Sequence, residues 1–297
     1  MRPPVSPNDF APAPPLMEPA IEMRQEMFAG CGGVELFARS WHAAGVPRGI
    51  VVVVHGFKSH SGFYDWPAQQ LVARGFTVYA HDLRGHGRSQ GDRYHVDCFD
   101  DYIGDLELFV ARARARERAV PLFMLGHSAG GLVACLYALE HQREMAGLIS
   151  EDCSLELLPP DAALLMLKGV SHLAAHAHLL NLKDEYFSRD TELVWRMKRD
   201  PLVVHTAGTA QLLGELIRAD RLLKRNFSRF YLPLLILHGT EDHVAKLEGS
   251  RQFYDETGSI DRTLKLYEGH YHDLLNDLGK EYVVDDIAEW ITSHIPE

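Results

Sequence analysis

Three residue types that together make a hydroxyl nucleophilic occur along this chain as Ser128, Asp242 and His272. A serine hydroxyl is a weak nucleophile at neutral pH; it needs a base to take its proton and a third group to orient that base. Ser128 sits in Gly126-His127-Ser128-Ala129-Gly130, a G-x-S-x-G sequence. The apolar run Leu122 to Leu125 leads into it, and Leu132, Val133, Leu136, Tyr137 and Leu139 follow with helical spacing. A strand, a tight turn with serine at its apex and then a helix form the setting of a nucleophile elbow. The flanking glycines suit such a turn, because bulk two residues before or after the serine would strike the neighbouring strand and helix. The helix start behind Ser128 would also present free N–H groups to a developing negative charge.

The partners lie at corresponding places. Asp242 follows the apolar run Leu232 to Leu237 in Gly239-x-x-Asp242, and His272 follows Thr263 to Tyr267 in Glu268-Gly269-x-x-His272. The order serine, acid, histidine, each just past a strand, is the one expected when a sheet carries all three to one edge. Glu241 and His270 are neighbours of the same types; the turn position favours Asp242 and the loop position favours His272. Most of the 17 histidines must do something else, and His55, His60, His81, His86 and His127 are assigned structural or pocket-lining roles. A tetrahedral intermediate needs N–H donors for its oxyanion. The expected pair is Ala129, directly after the nucleophile, and Phe57 in the loop His55-Gly56-Phe57.

Alternating strands and helices are needed to position these residues. Phe28 to Cys31 and Val34 to Ala38 read as short strands around a Gly32-Gly33 hairpin. Gly49 to Val54, Phe76 to Ala80 and Gly147 to Ser150 read as strands, the first two of them buried. Helices are predicted over 66–74, 99–117, 246–256 and 281–294, which gives a doubly wound α/β sheet. Residues 153–230 break this rhythm with helical patterns at Ala162 to Leu182, Asp190 to Met197 and Thr209 to Leu223. They read as an insertion over the serine edge, whose apolar face lines an acyl pocket or meets a membrane surface. His172, His176 and His178 within it are read as surface residues rather than metal ligands, and the arginines at 112, 114, 116 and 118 as a solvated helix face.

Composition sets outer bounds. The 297 residues are 46% hydrophobic and suit one generous globular domain. A net charge of −11, from 30 basic and 41 acidic residues, argues against nucleic acid as a partner. Cys31, Cys98, Cys135 and Cys153 show no C-x-x-C spacing, so reduced cysteines and no metal site are expected. Residues 1–20 read as a flexible Pro-rich leader without a signal peptide's apolar stretch.

Taken as a set, several motifs resemble the α/β-hydrolase superfamily, and within it the monoacylglycerol lipase and lysophospholipase-like (serine aminopeptidase-like) group. They are His55-Gly56-x-x-x-His60-Ser61-x-x-Tyr64, Asp82-x-x-Gly85-His86-Gly87-x-Ser89, Gly126-His127-Ser128-x-Gly130-Gly131, Asp200-Pro201-Leu202, Gly239-x-x-Asp242 and Tyr267-Glu268-Gly269-x-x-His272. The resemblance implies a mostly parallel central sheet flanked by helices, with a core in two parts (21–152 and 231–297) and an inserted helical cap (153–230). It also implies cofactor-free hydrolysis of a single-acyl ester such as a monoacylglycerol, with general carboxylesterase, lysophospholipase and acyltransferase as alternatives. The expected location is cytoplasmic, with transient contact of the cap with membrane surfaces. The acidic pair Glu151-Asp152 has no place in these motifs.

Overall fold

A computed structural model describes residues 21–153, 155 and 176–295. The predicted leader and most of the predicted helix 162–182, including His172, lie outside the described residues.

Eight strands form one sheet in the order β1-β2-β4-β3-β5-β6-β9-β10. They are β1 (Glu22–Ala29), β2 (Glu35–His42), β3 (Gly49–Val54), β4 (Phe76–His81), β5 (Leu122–His127), β6 (Gly147–Glu151), β9 (Leu234–Gly239) and β10 (Arg262–Tyr267). From β4 to β10 every neighbour is parallel. Within this sheet, the antiparallel pairings are those of β1 with β2 and of β2 with β4. The valine-rich β3 shows why the centre of the sheet is continuously apolar. Val51 and Val53 face one core, and Ile50, Val52 and Val54 face the other, all of them buried.

Helices fill both sides. α1 (Asp65–Ala73) sends Leu71 and Val72 into one core, joined there by Ile287 and Trp290 of the closing helix at Lys280–Ser293. The opposite core takes Phe109 from α2 (Asp100–Arg116) and Leu132 from α3 (Ala129–His141). The segment between β6 and β9 adds α4 (Thr191–Arg199) and α5 (Ala210–Lys224); α6 (Leu247–Glu256) and α7 (Lys280–Ser293) complete the chain. Leu212, Leu213 and Leu216 of α5 join the core that holds α3. α4 is capped at its start by Asp190, whose carboxylate accepts from the Glu192 N–H, and α5 by Thr209, whose hydroxyl accepts from the Leu212 N–H.

Three local expectations are corrected. The first strand begins at Glu22 rather than near Phe28, because all eight of its residues pair with β2. Residues 178–180 are a strand, β7 (His178–Leu180), not the end of a helix; they pair antiparallel with β8 (Gly208–Thr209), so a long-range partner overrides local apolar spacing. The arginines of α2 are not merely solvated. Arg112 and Arg116 both pair with Glu26 of β1, and Arg114 donates to the Val120 carbonyl. His176 and His178 are exposed, as expected, although His176 stacks on His95 with ring centres 4.5 Å apart. Among the described residues all four cysteines are free thiols.

Candidate active site

Ser128 stands between β5 and α3 with φ 54° and ψ −122°, a strained backbone for a residue with a side chain. Close packing forces the turn. A Cβ on Gly126 would lie 2.6 Å from Ala134 Cβ, and one on Gly130 would lie 2.3 Å from the Val54 and His55 carbonyl oxygens. The Ser128 N–H donates to the Glu151 carbonyl across to β6 (3.0 Å), which pins the apex to the sheet. Ala129 is the first residue of α3, so its N–H has no partner within that helix.

The three candidate residues meet at this edge. The Ser128 hydroxyl donates to His272 Nε2 over 2.7 Å, and His272 Nδ1 donates to Asp242 Oδ2 over 2.7 Å. Asp242 Oδ1 accepts from the Val244 and Ala245 N–H groups at 2.6 and 3.1 Å. All three side chains are essentially buried. Burial pushes the Asp242 carboxyl up, but the facing imidazole and the hydrogen bonds outweigh that and hold it below the usual carboxylate range. The neighbours Glu241 and His270 are not part of this relay.

The loop after β3 passes directly beside the serine. A Cβ on Gly56 would lie 2.7 Å from Ser128 Cβ. His55 sets the orientation of the next peptide. Its Nε2 accepts the Leu83 N–H (2.9 Å), so its Nδ1 carries the proton and donates to the Gly56 carbonyl (2.8 Å). Burial holds this imidazole neutral, well below its ordinary pKa. In a trans peptide the N–H points opposite to the C=O, so fixing the Gly56 carbonyl also fixes the direction of the Phe57 N–H.

Comparison with known proteins identifies the family. Residues 45–279 match the family model described as serine aminopeptidase, S33. The chain is 33% identical over 273 residues to a monoacylglycerol lipase of Mycolicibacterium smegmatis, covering 91% of this chain and 98% of that protein. It is 33% identical over 270 residues to a monoglyceride lipase of Rattus norvegicus, covering 89% and 88%. The solved monoacylglycerol lipase of Paleococcus ferrophilus superposes with a TM-score of 0.76 at 28% identity, covering 92% and 99%. The chain belongs to the serine aminopeptidase family of α/β-hydrolases, in its monoacylglycerol lipase-like group. It is a carboxylic-ester hydrolase.

Like other parts of this hydrolase, the segment between β6 and β9 is tied to the site by specific bonds. Lys58, one residue beyond Phe57, forms a buried ion pair with Asp184 and donates to the Leu182 carbonyl (2.9 Å). His60 accepts the Gly62 N–H at Nδ1 and donates from Nε2 to Asp200 (both 3.0 Å). Asp277 accepts from the Arg189 and Tyr271 N–H groups at 2.7 and 2.9 Å and pairs with the Arg189 guanidinium at 2.8 Å. The ring of Phe187 packs 5.5 Å from that of His272. A small recess of about 10 Å³, room for no more than a water molecule, lies beside Ala129 and is walled by Phe57, Leu83, His86, Val133, Leu212 and Leu216. Two of its walls are the expected oxyanion residues, and two come from α5.

His127 is fully buried, and its Nε2 donates to the His272 carbonyl (3.1 Å); burial pushes its pKa down to about 3, so it stays neutral. Sequence reasoning singled out Glu151 and Asp152 without giving them a role, and it missed the third buried acid, Asp273. Glu151 accepts the Leu275 N–H (3.1 Å), and Asp152 accepts the Gly239 N–H (2.9 Å). Both Asp273 carboxylate oxygens accept from the Asn276 side-chain amide nitrogen, each at 3.1 Å. Their acidity in the sequence was the only signal. The donor atoms of Asp152, Asp242 and His272 lie within 4.8 Å of one another, and both His272 ring nitrogens are engaged by Ser128 and Asp242.

Proposed function

We propose that this hydrolase cleaves single-acyl esters, monoacylglycerols foremost, by way of a covalent acyl-enzyme. Ser128 attacks the ester carbonyl carbon while His272 accepts its proton, and Asp242 orients the imidazole and stabilises the imidazolium. The Phe57 and Ala129 N–H groups receive the oxyanion. His272 then returns the proton to the leaving alcohol. Water, deprotonated by His272, attacks the acyl-enzyme and releases the fatty acid. No cofactor or metal has a step in this sequence.

The observation that carries the reading is the pair of 2.7 Å hydrogen bonds linking Ser128, His272 and Asp242. The names of the relatives support an acylglycerol substrate. Residues 153–230 act as a cap over the serine edge, tied down through Asp184 and Asp200. Among the described residues no helix is long and apolar enough to cross a membrane. A cytoplasmic enzyme whose cap touches lipid surfaces transiently fits that reading.

The test is a matched set of initial rates on 1-acylglycerol, lysophosphatidylcholine, diacylglycerol and a short p-nitrophenyl ester, with Ser128→Ala as control. Preference for 1-acylglycerol, lost in the variant, is expected. Activity confined to the short ester would replace the proposal with a general carboxylesterase, and wild-type activity in Ser128→Ala would overturn the mechanism.

A further inference from the structure

Asp152 has no role in the reaction derived so far, yet it is fully buried beside it. It leaves β6 with φ 41°, a strained conformation for a residue other than glycine. Its Oδ1 accepts the Gly239 N–H and lies 3.5 Å from His238 Nδ1, while His238 Nε2 lies 3.5 Å from Asp242 Oδ2. Donor atoms of Asp152, Asp242 and His272 fall within 4.8 Å of one another. No N–H or O–H donor reaches Asp152 Oδ2 among the described residues, and a side-chain hydrogen bond with Asp242 is among the causes that raise the Asp152 carboxyl.

The charges around this carboxyl group do not support a second anion. Around it are Glu151 at the end of β6, His238 on β9 (itself bonded to the Ser250 hydroxyl of α6), Asp242 in the following turn, His272 and Tyr267 of β10. His238 is driven down to about 4 by burial and stays neutral. Two carboxyl groups sharing one buried site without a cation cannot both ionise. Asp242 holds the charge more strongly, since it accepts three hydrogen bonds against one for Asp152. Burial and the Asp242 charge push Asp152 well above the usual carboxylate range.

We propose that Asp152 is a positioning residue of the catalytic site: it stays protonated in the working enzyme and donates that proton to Asp242, holding the Asp242 carboxylate toward His272. The inference rests on the triad proposed above. An ionised Asp152 would put a second negative charge near His272 and favour the imidazolium, which cannot take the serine proton. A protonated one supplies a hydrogen bond and adds no charge.

Asp152→Asn and Asp152→Leu separate charge from donation, because both are neutral and only asparagine can donate. kcat and KM are measured on a short p-nitrophenyl ester from pH 5 to 9. The asparagine variant is expected to keep kcat within about threefold and leave the acid midpoint of kcat/KM in place. The leucine variant should lose about tenfold in kcat at unchanged KM, the effect of one hydrogen bond. A downward move of that midpoint by about one pH unit in the asparagine variant would show a lost charge and overturn the proposal. So would equal kcat in the two variants.

Should the leucine variant not fold, melting curves of wild type and Asp152→Asn decide. A raised native pKa means the native state loses stability as pH rises, so the wild type should melt progressively lower than Asp152→Asn from pH 5 to 8. A constant gap would overturn the proposal. Fluorophosphonate labelling of Ser128 reads the triad separately: an unlabelled wild type would sink the triad, whereas a labelled enzyme that fails the Asp152 tests sinks only this inference.

Discussion

The buried ring of His127, one residue before the candidate nucleophile, donates through Nε2 to the backbone carbonyl of His272, 3.1 Å away. The bond joins the elbow to the histidine loop across 145 residues of sequence, so the two loops are held in register directly rather than only through Ser128 and His272. Replacing His127 with leucine keeps much of the volume and leaves the His272 carbonyl buried without its donor. We expect a loss of about 1–3 kcal/mol in unfolding free energy, the cost of an unsatisfied buried acceptor, with kcat down about tenfold and KM little changed. Urea unfolding and initial rates check it; an unaltered kcat in a folded variant would show that the tether is dispensable.

Gly56 leads to a second prediction. With 2.7 Å between an added Cβ and Ser128 Cβ, and 3.1 Å to the His127 carbonyl oxygen, Gly56→Ala cannot fit without moving the loop that carries Phe57. That movement should misplace one oxyanion donor, for which a loss of about 10²–10³ in kcat is typical. The fold should survive, because the clash is confined to a loop at the sheet edge. Rates and a melting curve on the same preparation separate the two effects, and a fully active Gly56→Ala would argue against Phe57 as a donor.

How much of this was legible in the sequence differs by residue. The span Gly49–Val54 was readable because a run of β-branched residues buried on both faces has few alternatives, and the structure gives the same bounds. Ser128, Asp242 and His272 were readable because type, chain order and position after a strand all agreed, and the structure brings them within hydrogen-bond distance. The pairing of His178–Leu180 with Gly208–Thr209 was not readable, since its partner lies far along the chain. Neither was the grouping of Glu151, Asp152 and Asp273, because single acidic residues carry no periodic signal and only the fold shows that they are buried together. His127 was read as structural, but its partner could not be named without the loop that supplies it.

The Lys58–Asp184 pair supplies a third prediction. Both side chains are largely buried, and Lys58 lies next to Phe57. Removing one partner leaves a buried charge uncompensated, which costs about 3–5 kcal/mol. Lys58→Met is therefore expected to be strongly destabilised. Lys58→Met combined with Asp184→Leu should recover most of the loss, because the stranded carboxylate is gone. Chemical denaturation of the wild type, both single variants and the double variant gives the coupling energy. Additive effects would show that the pair does not hold the loop to the segment between β6 and β9.

Asp273 gives a pH prediction. Burial pushes this carboxyl up to about 6, against the opposing hydrogen bonds from Asn276. The sign follows from proton binding: between the ordinary carboxylate value of about 4 and about 6 the native state holds a proton that the unfolded chain has released. The stability contributed by that proton is complete below about pH 4, falls as pH rises through 6 and changes little above it. A shift of about two pH units corresponds to about 3 kcal/mol. Asp273→Asn has no proton to lose and gives up one of the two oxygens that face the Asn276 amide, at a cost of about 1 kcal/mol. The variant should therefore be about 2 kcal/mol more stable than the wild type at pH 7.5 and no more stable at pH 4. Urea unfolding at pH 4, 5, 6 and 7.5 measures this directly. If the wild type proves the more stable protein at pH 7.5, the Asp273 carboxyl is not raised in the native state and its hydrogen bonds from Asn276 outweigh its burial.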